Sequence, residues 1–185
     1  PCDGILAVGG GSALDVAKMI RVFSGNPRVR SERIVRKKAD IGERGAPLIV
    51  VPTTSGTGAQ ITHFSALYLD GVKYSVAHPF VLPDVAIVDP ELTYSMPAAV
   101  TASSGLDALC QAVESMWAVG ATKESRDYAG QAMQLAIQYL GQAVRDPGPD
   151  SRRAMASAAQ LAGQAINISK TTAAHALSYT FTSEY

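Results

Sequence analysis

The chain has no surplus of charge of either sign: sixteen Lys and Arg residues balance sixteen Asp and Glu. Nucleic acids and anionic membrane surfaces select proteins with concentrated positive charge. Neither is expected as a partner, and a small molecule is. Cysteine is scarce as well. Cys2 and Cys110 stand far apart and outside any CxxC spacing, which argues against a disulfide scaffold and for a reduced compartment, with the cytoplasm as the expected location. No apolar run approaches the roughly 20 residues that span a bilayer, and no basic segment followed by an apolar stretch opens the chain. HExxH and paired CxxC patterns are missing, so pattern alone gives no zinc motif. There is no internal repeat and no low-complexity tract. An initiator methionine is lacking too: Pro1-Cys2-Asp3-Gly4 leads straight into the apolar run Ile5 to Val8, and both ends are expected to be cuts inside a larger protein.

What is present is enough apolar material, 47% of 185 residues, for the core of one or two domains. Ile5 to Val8 has the character of a buried strand. Gly9-Gly10-Gly11-Ser12 follows, and Ala13 to Phe23 carries apolar residues at helical spacing. A second strand, Pro47 to Val51, ends in Pro52-Thr53-Thr54-Ser55-Gly56-Thr57-Gly58, a loop of small residues and hydroxyls. Strands that end in small-residue turns are how an open α/β sheet builds a ligand crevice at its carboxyl edge. Ile61 to Tyr68 and Lys73 to Ala77, joined by an Asp70-Gly71 turn, predict a hairpin, and Val85 to Val88 a further short strand. From Pro97 onward Ala, Leu, Gln, Met and Ser dominate. Helices are predicted over Gly105 to Val119, Lys123 to Val144 and Ser151 to Ile168, with Ser151 as the cap of the last. The expected division is an α/β domain over 1–97 and a helical domain over 98–185.

Several residues could carry chemistry. The glycine triplet would let backbone amides reach a phosphate at the start of a helix, or it would serve as a plain strand-to-helix turn; its spacing is not GxGxxG. The Thr53 to Gly58 loop offers hydroxyls suited to ribose and phosphate oxygens. Lys73 could neutralise a phosphate or be a solvated strand residue. Asp107 and Gln111, four apart on a helix, project from one face of a mostly apolar stretch. A carboxylate there needs a partner, a cation or a helix start, and Ser103-Ser104-Gly105 is itself a candidate start. Among the histidines, His175 has small neighbours that leave room around its ring, while His63 and His78 are expected to be structural or at the surface.

Together these segments resemble the iron-containing (group III) alcohol dehydrogenases. The matches run in order: Gly9-Gly10-Gly11-Ser12 with Asp15 and Lys18, Pro52-Thr53-Thr54 with Gly56-Thr57-Gly58, Asp89-Pro90-Glu91-Leu92-Thr93, Gly105-Leu106-Asp107-Ala108-Leu109 with Glu114, and His175-Ala176-Leu177-Ser178. The resemblance implies an α/β nucleotide-binding domain followed by an all-α metal and substrate domain, the dehydroquinate synthase-like fold, incomplete here at both ends. It implies NAD(H) or NADP(H) and a divalent metal, Fe2+ or Zn2+. Gly10, Gly11 and Ser12, with Asp15 in the same motif, are expected at the pyrophosphate, and Thr53, Thr54, Thr57, Thr62 and Lys73 along the rest of the nucleotide. Asp107 and His175 fall on metal-ligand positions.

Gln111 departs from the family pattern, which carries histidine four residues after the ligand aspartate; an amide oxygen is a weaker ligand for iron or zinc than an imidazole. The family's last metal-binding histidine falls in a segment beyond Tyr185, and the residue that tells NAD from NADP falls upstream of Pro1. Gln111, with Lys73 to Pro79 and Ala165 to Thr172, resembles the phosphonoacetaldehyde reductase branch, which makes 2-hydroxyethylphosphonate. On that resemblance Lys170 and Thr171 would hold the phosphonate, Lys170 being otherwise a solvated helix-end lysine. The expected activity is therefore reduction of a small aldehyde by a homo-oligomeric enzyme. The alternatives are a general short-chain alcohol dehydrogenase, a dehydroquinate-synthase-like lyase and a non-catalytic nucleotide-binding remnant.

Overall fold

The computed structural model describes residues 2–184. Three parallel strands, β1 (Ile5–Gly9), β2 (Leu48–Pro52) and β5 (Val85–Ala86), form a sheet in the order β1-β2-β5. Between them lie helices α1 (Gly11–Gly25) and α2 (Ser31–Val35) and an antiparallel hairpin of β3 (Phe64–Leu69) and β4 (Val72–Ala77). Three helices follow, α3 (Ala98–Trp117), α4 (Lys123–Arg145) and α5 (Pro149–Ser169), and α6 (Ala173–Glu184) ends the described chain. This is the expected α/β-then-helical order.

The sheet buries one face. Ala7, Leu48 and Val50 pack with Leu14 and Ala17 of α1, while Leu6, Val8 and Ile49 on the other face are exposed. The α1 positions that turn inward, Leu14, Ala17, Lys18, Arg21 and Val22, recur at helical spacing, so the whole inward stripe reads off the sequence. Arg21, fully buried, is held by the Leu82 carbonyl at 2.8 Å and by Asp84 at 3.0 Å, whose other contacts are Arg44 and the Leu48 N–H. That cluster anchors the lead-in to β5 against α1 and β2.

The helical part packs through alanine. Ala108 and Ala112 of α3, Ala129 and Ala132 of α4, and Ala159, Ala162 and Ala165 of α5 share one cluster. Small side chains let the three helices approach closely. The hairpin turn at Asp70-Gly71 has both residues at positive φ, 53° and 76°, the conformation a two-residue turn requires.

Three expectations are corrected. Helix α3 begins at Ala98 rather than Gly105, because the hydroxyls of Thr101, Ser103 and Ser104 bond back to carbonyls three or four residues earlier instead of capping a new start. Asp107 therefore sits in the third turn, out of reach of the helix N-terminus. Ser151 is not the cap of α5: Gly148 holds that position with Pro149 after it, and Ser151 Oγ accepts from the Gly148 N–H at 3.1 Å. The hairpin's first strand starts at Phe64, since 59–61 form a 3-10 turn. Among the described residues no helix is long and apolar enough to cross a membrane.

Candidate functional site

The parallel strands deliver two turns to one edge of the sheet. The turn after β1 and the loop after β2 touch: Thr53 N–H donates to the Gly9 carbonyl at 2.9 Å, and a β-carbon on Gly11 would lie 2.5 Å from Thr57 Oγ1. Only glycine fits there. Gly10 caps α1 with no side-chain hydrogen bond, so amides at the start of this 15-residue helix have no internal carbonyl to pair with. Gly10, Gly11, Ser12, Thr53 and Thr54 thus share the carboxyl edge of the sheet, the usual crevice of an open α/β fold.

Beside them lies a cavity of about 440 Å³, within the size range of small-ligand sites. Asp15, Thr57, Thr62, Lys73, Asp107, Gln111, Lys170, Thr171 and His175 all line it. The two sets differ. The glycine turn with Thr53 and Thr54 stays outside the lining, and nine of the singled-out residues converge inside it. His63, expected to be structural or superficial, is also in the wall, its Nδ1 2.6 Å from Asn167 Oδ1. His78 accepts from the Phe80 N–H within its own turn.

Asp15 and Lys18 form the wall between α1 and the hairpin. Lys18 is wholly buried; its ammonium donates to the Phe64 carbonyl at 2.8 Å and to Thr62 Oγ1 at 3.2 Å, and stands 3.6 Å from Asp15. Asp15 accepts from the Ala66 N–H at 3.0 Å. Burial pulls the Lys18 pKa down to about 8 against the opposing pull of Asp15, and burial raises that of Asp15. Thr62 and Asp15 are thereby engaged with protein groups as well as lining the cavity.

Across the cavity, α3 presents Asp107, Gln111 and Glu114 at spacings of four and three, on one side of the helix. Burial raises the Asp107 pKa, opposed by His175, by a hydrogen bond from Gln111 and by Lys73. Burial lowers that of Lys73, opposed by Asp107 and Asp15. The Gln111 side chain lies near enough to Asp107 to favour its charged form, and its amide nitrogen makes a long 3.5 Å contact with the Thr57 carbonyl. The Thr57 carbonyl only accepts, which turns the amide nitrogen toward it and leaves Gln111 Oε1 buried without a hydrogen-bond partner. A buried carbonyl oxygen left this way beside a carboxylate and an imidazole has the chemistry of a cation ligand. The donor set is two ionisable groups and an amide; among the described residues no three His, Cys, Asp or Glu side chains form a metal site.

Helix α5 ends at Ser169, and Lys170, with φ 62° and ψ 175°, turns the chain into the segment carrying Thr171 and His175. Glu114 receives that segment. Its Oε2 accepts from the Thr172 N–H at 2.6 Å and hydroxyl at 2.8 Å, and its Oε1 lies 3.3 Å from His175 Nδ1. Sequence reading had Glu114 only as part of a motif. Its position, three after Gln111 and seven after Asp107, was the available signal.

Comparison with known proteins agrees with this architecture. Residues 1–90 match the iron-containing alcohol dehydrogenase family, and 101–185 the C-terminal part of the Fe-containing alcohol dehydrogenase family. The chain is 40% identical to long-chain-alcohol dehydrogenase 1 of Geobacillus thermodenitrificans, over 96% of this chain and 45% of that protein. It is 36% identical to phosphonoacetaldehyde reductase of Streptomyces viridochromogenes, over 97% of this chain and 48% of that protein. The crystal structure of sulfoacetaldehyde reductase from Bifidobacterium kashiwanohense in complex with NAD+ superposes with a TM-score of 0.92 at 36% identity, covering 99% of this chain and 49% of that one. The chain thus spans about half the length of the relatives it matches. With family matches over nearly its whole length and the fold of solved members, the chain belongs to the iron-containing alcohol dehydrogenases.

Proposed function

We propose that the protein carrying this chain is an NAD(P)-linked, metal-dependent reductase of small aldehydes, with phosphonoacetaldehyde as substrate and 2-hydroxyethylphosphonate as product. The observation that carries the reading is the buried, unpartnered Gln111 Oε1 beside Asp107 and His175 in a cavity that also holds Lys73 and Lys170. Asp107, Gln111 and His175 would hold a divalent cation, Fe2+ or Zn2+, which when bound supplies a Lewis acid for the aldehyde oxygen. Gly10, Gly11 and Ser12 would receive the pyrophosphate through backbone N–H groups. Thr53, Thr54, Thr57 and Lys73 would line the nucleotide, with Asp15 and Thr62 shaping the wall.

Lys170 and Thr171 would take the anionic group of the substrate, with His63 on the same wall. A nicotinamide cofactor bound there would supply the hydride for the carbonyl carbon, and with a proton added at the oxygen the products would be the alcohol and NAD(P)+. No general acid or base is assigned. Similarity to two reductases named for two-carbon aldehydes with an anionic end, a phosphonate and a sulfonate, supports the substrate class. The division into a nucleotide domain over 1–97 and a metal domain over 98–185, a homo-oligomeric state and a cytoplasmic location belong to the same reading.

The test is NAD(P)H oxidation by the full-length protein with phosphonoacetaldehyde, sulfoacetaldehyde and short alkyl aldehydes, after chelation and after restoring Fe2+ or Zn2+. Metal-restored turnover that favours the phosphonate is expected. Preference for alkyl aldehydes would move the protein to the general short-chain alcohol dehydrogenases. Silence with every aldehyde and metal would defeat the proposal.

A further inference from the structure

Glu114 is the one buried carboxylate among the described residues, its side chain 7% exposed, and its two oxygens have different tasks. Oε2 takes both the backbone N–H and the hydroxyl of Thr172, and so ties the loop that follows α5 to the last turns of α3. Oε1 faces His175 Nδ1. A carboxylate oxygen can only accept, so this contact selects the imidazole tautomer with its proton on Nδ1 and the lone pair on Nε2. Asp107 and Gln111 lie on the same side of α3, two turns and one turn earlier respectively. One carboxylate therefore sets both the ring state of His175 and its distance from the other two candidate ligands.

We propose that Glu114 is the positioning residue of the site: it fixes His175 in the Nδ1–H tautomer, presents Nε2 as a ligand for a divalent cation, and fastens the His175 segment to the helix bearing Asp107 and Gln111. The inference rests on the metal-dependent reading above. The physical logic is that of a histidine ligand whose second nitrogen donates to a carboxylate, which orients the ring and raises its basicity.

The discriminating variant is Glu114→Gln. Glutamine keeps the length and can still accept from Thr172 through its oxygen, but its amide then offers an N–H to His175 Nδ1. That nitrogen must become the acceptor and the ring proton must move to Nε2. Two readouts on the full-length protein test this.

The first is the 15N chemical-shift pattern of His175 in metal-free protein at alkaline pH, assigned by loss of its signals in His175→Gln. The wild type is expected to show the Nδ1–H form and Glu114→Gln the Nε2–H form. The Nε2–H form in the wild type would overturn the proposal without any variant. The second is Co2+ affinity by chelator competition, expected to fall about 10–100-fold in Glu114→Gln, with NAD(H) affinity unchanged. Thr172→Val, which removes the hydroxyl contact and leaves the ring contact, is expected to keep wild-type Co2+ affinity. Equal Co2+ affinity in wild type and Glu114→Gln would overturn the proposal. A wild type that binds no Co2+, Zn2+ or Fe2+ would instead defeat the metal reading itself, and the tautomer measurement would still decide what Glu114 does.

Discussion

Gly58 and Gly163 meet backbone to backbone: a β-carbon on Gly58 would lie 2.6 Å from the Gly163 α-carbon, and one on Gly163 would lie 2.9 Å from the Gly58 α-carbon and 2.6 Å from Ile61 Cγ2. This contact joins the loop after β2 to helix α5. Gly58 also has φ 64°, where an L side chain is strained. The two residues therefore set how closely the threonine loop and the alanine-packed helices approach, and the cavity lies along that junction. Gly163→Ala is expected to destabilise the protein by about 1–3 kcal/mol, as overpacking in a rigid interior does. A thermal melt checks it, and an unchanged Tm would mean that the junction yields freely.

The turns that flank this junction were legible in the sequence, the junction itself was not, and the reasons are local. The glycine turn and the hydroxyl loop each follow an apolar strand, so their place at one sheet edge follows from the parallel order. Asp70-Gly71 encodes its turn chemically. What misled was chemistry with two local solutions. Ser103 and Ser104 have the composition of a helix cap, yet their hydroxyls reach back to the Val100 carbonyl, and nothing in their neighbours distinguishes the two outcomes. The Glu114 to Thr172 and His63 to Asn167 contacts span 58 and 104 residues, distances at which periodicity carries no signal. Gln111 could be flagged as a departure from a pattern, but the orphaned state of its oxygen depends on Thr57 approaching from another element.

Lys18 gives a pH signature. Its pKa is about 8 in the folded protein against an ordinary 10.5, chiefly because it is buried. Between those values the unfolded chain binds more protons than the folded one, so stability from this group rises with pH. The penalty is fully present below pH 8 and relieved above 10.5, and amounts to about 3 kcal/mol at most. Asp15, raised by burial, and Lys73, lowered by burial, are present in both wild type and a Lys18 variant, so comparing the two isolates Lys18. Denaturant unfolding of wild type and Lys18→Met from neutral to alkaline pH is the check. The stability difference should shift in favour of the wild type as pH rises, and a difference that stays constant would refute the assignment.

Gln111 separates ligand from bystander. If its oxygen completes a cation site, Gln111→His should strengthen Zn2+ and Fe2+ binding, because imidazole suits these metals better than an amide. Gln111→Leu should weaken it by roughly tenfold or more, the scale on which even outer-shell partners act. Chelator competition on the full-length protein measures both. Identical affinities in all three proteins would remove Gln111 from the site.

Lys170 sets function against stability. Its φ of 62° with ψ of 175° lies in a region that glycine occupies almost alone, at a cost of about 1–3 kcal/mol for other residues. If Lys170, on the wall of the cavity, recognises the anion as proposed, that use offsets the strain. Lys170→Gly should therefore raise the unfolding free energy, since the strain disappears and the side chain is exposed. It should also raise KM for phosphonoacetaldehyde roughly 10–100-fold, the loss of one charge-assisted contact, while KM for an uncharged short aldehyde stays the same. Lys170→Arg, which keeps both charge and strain, should retain most of the affinity and none of the added stability. If the glycine variant loses turnover on charged and uncharged aldehydes alike, the lysine shapes the α5–α6 turn and does not recognise the anion.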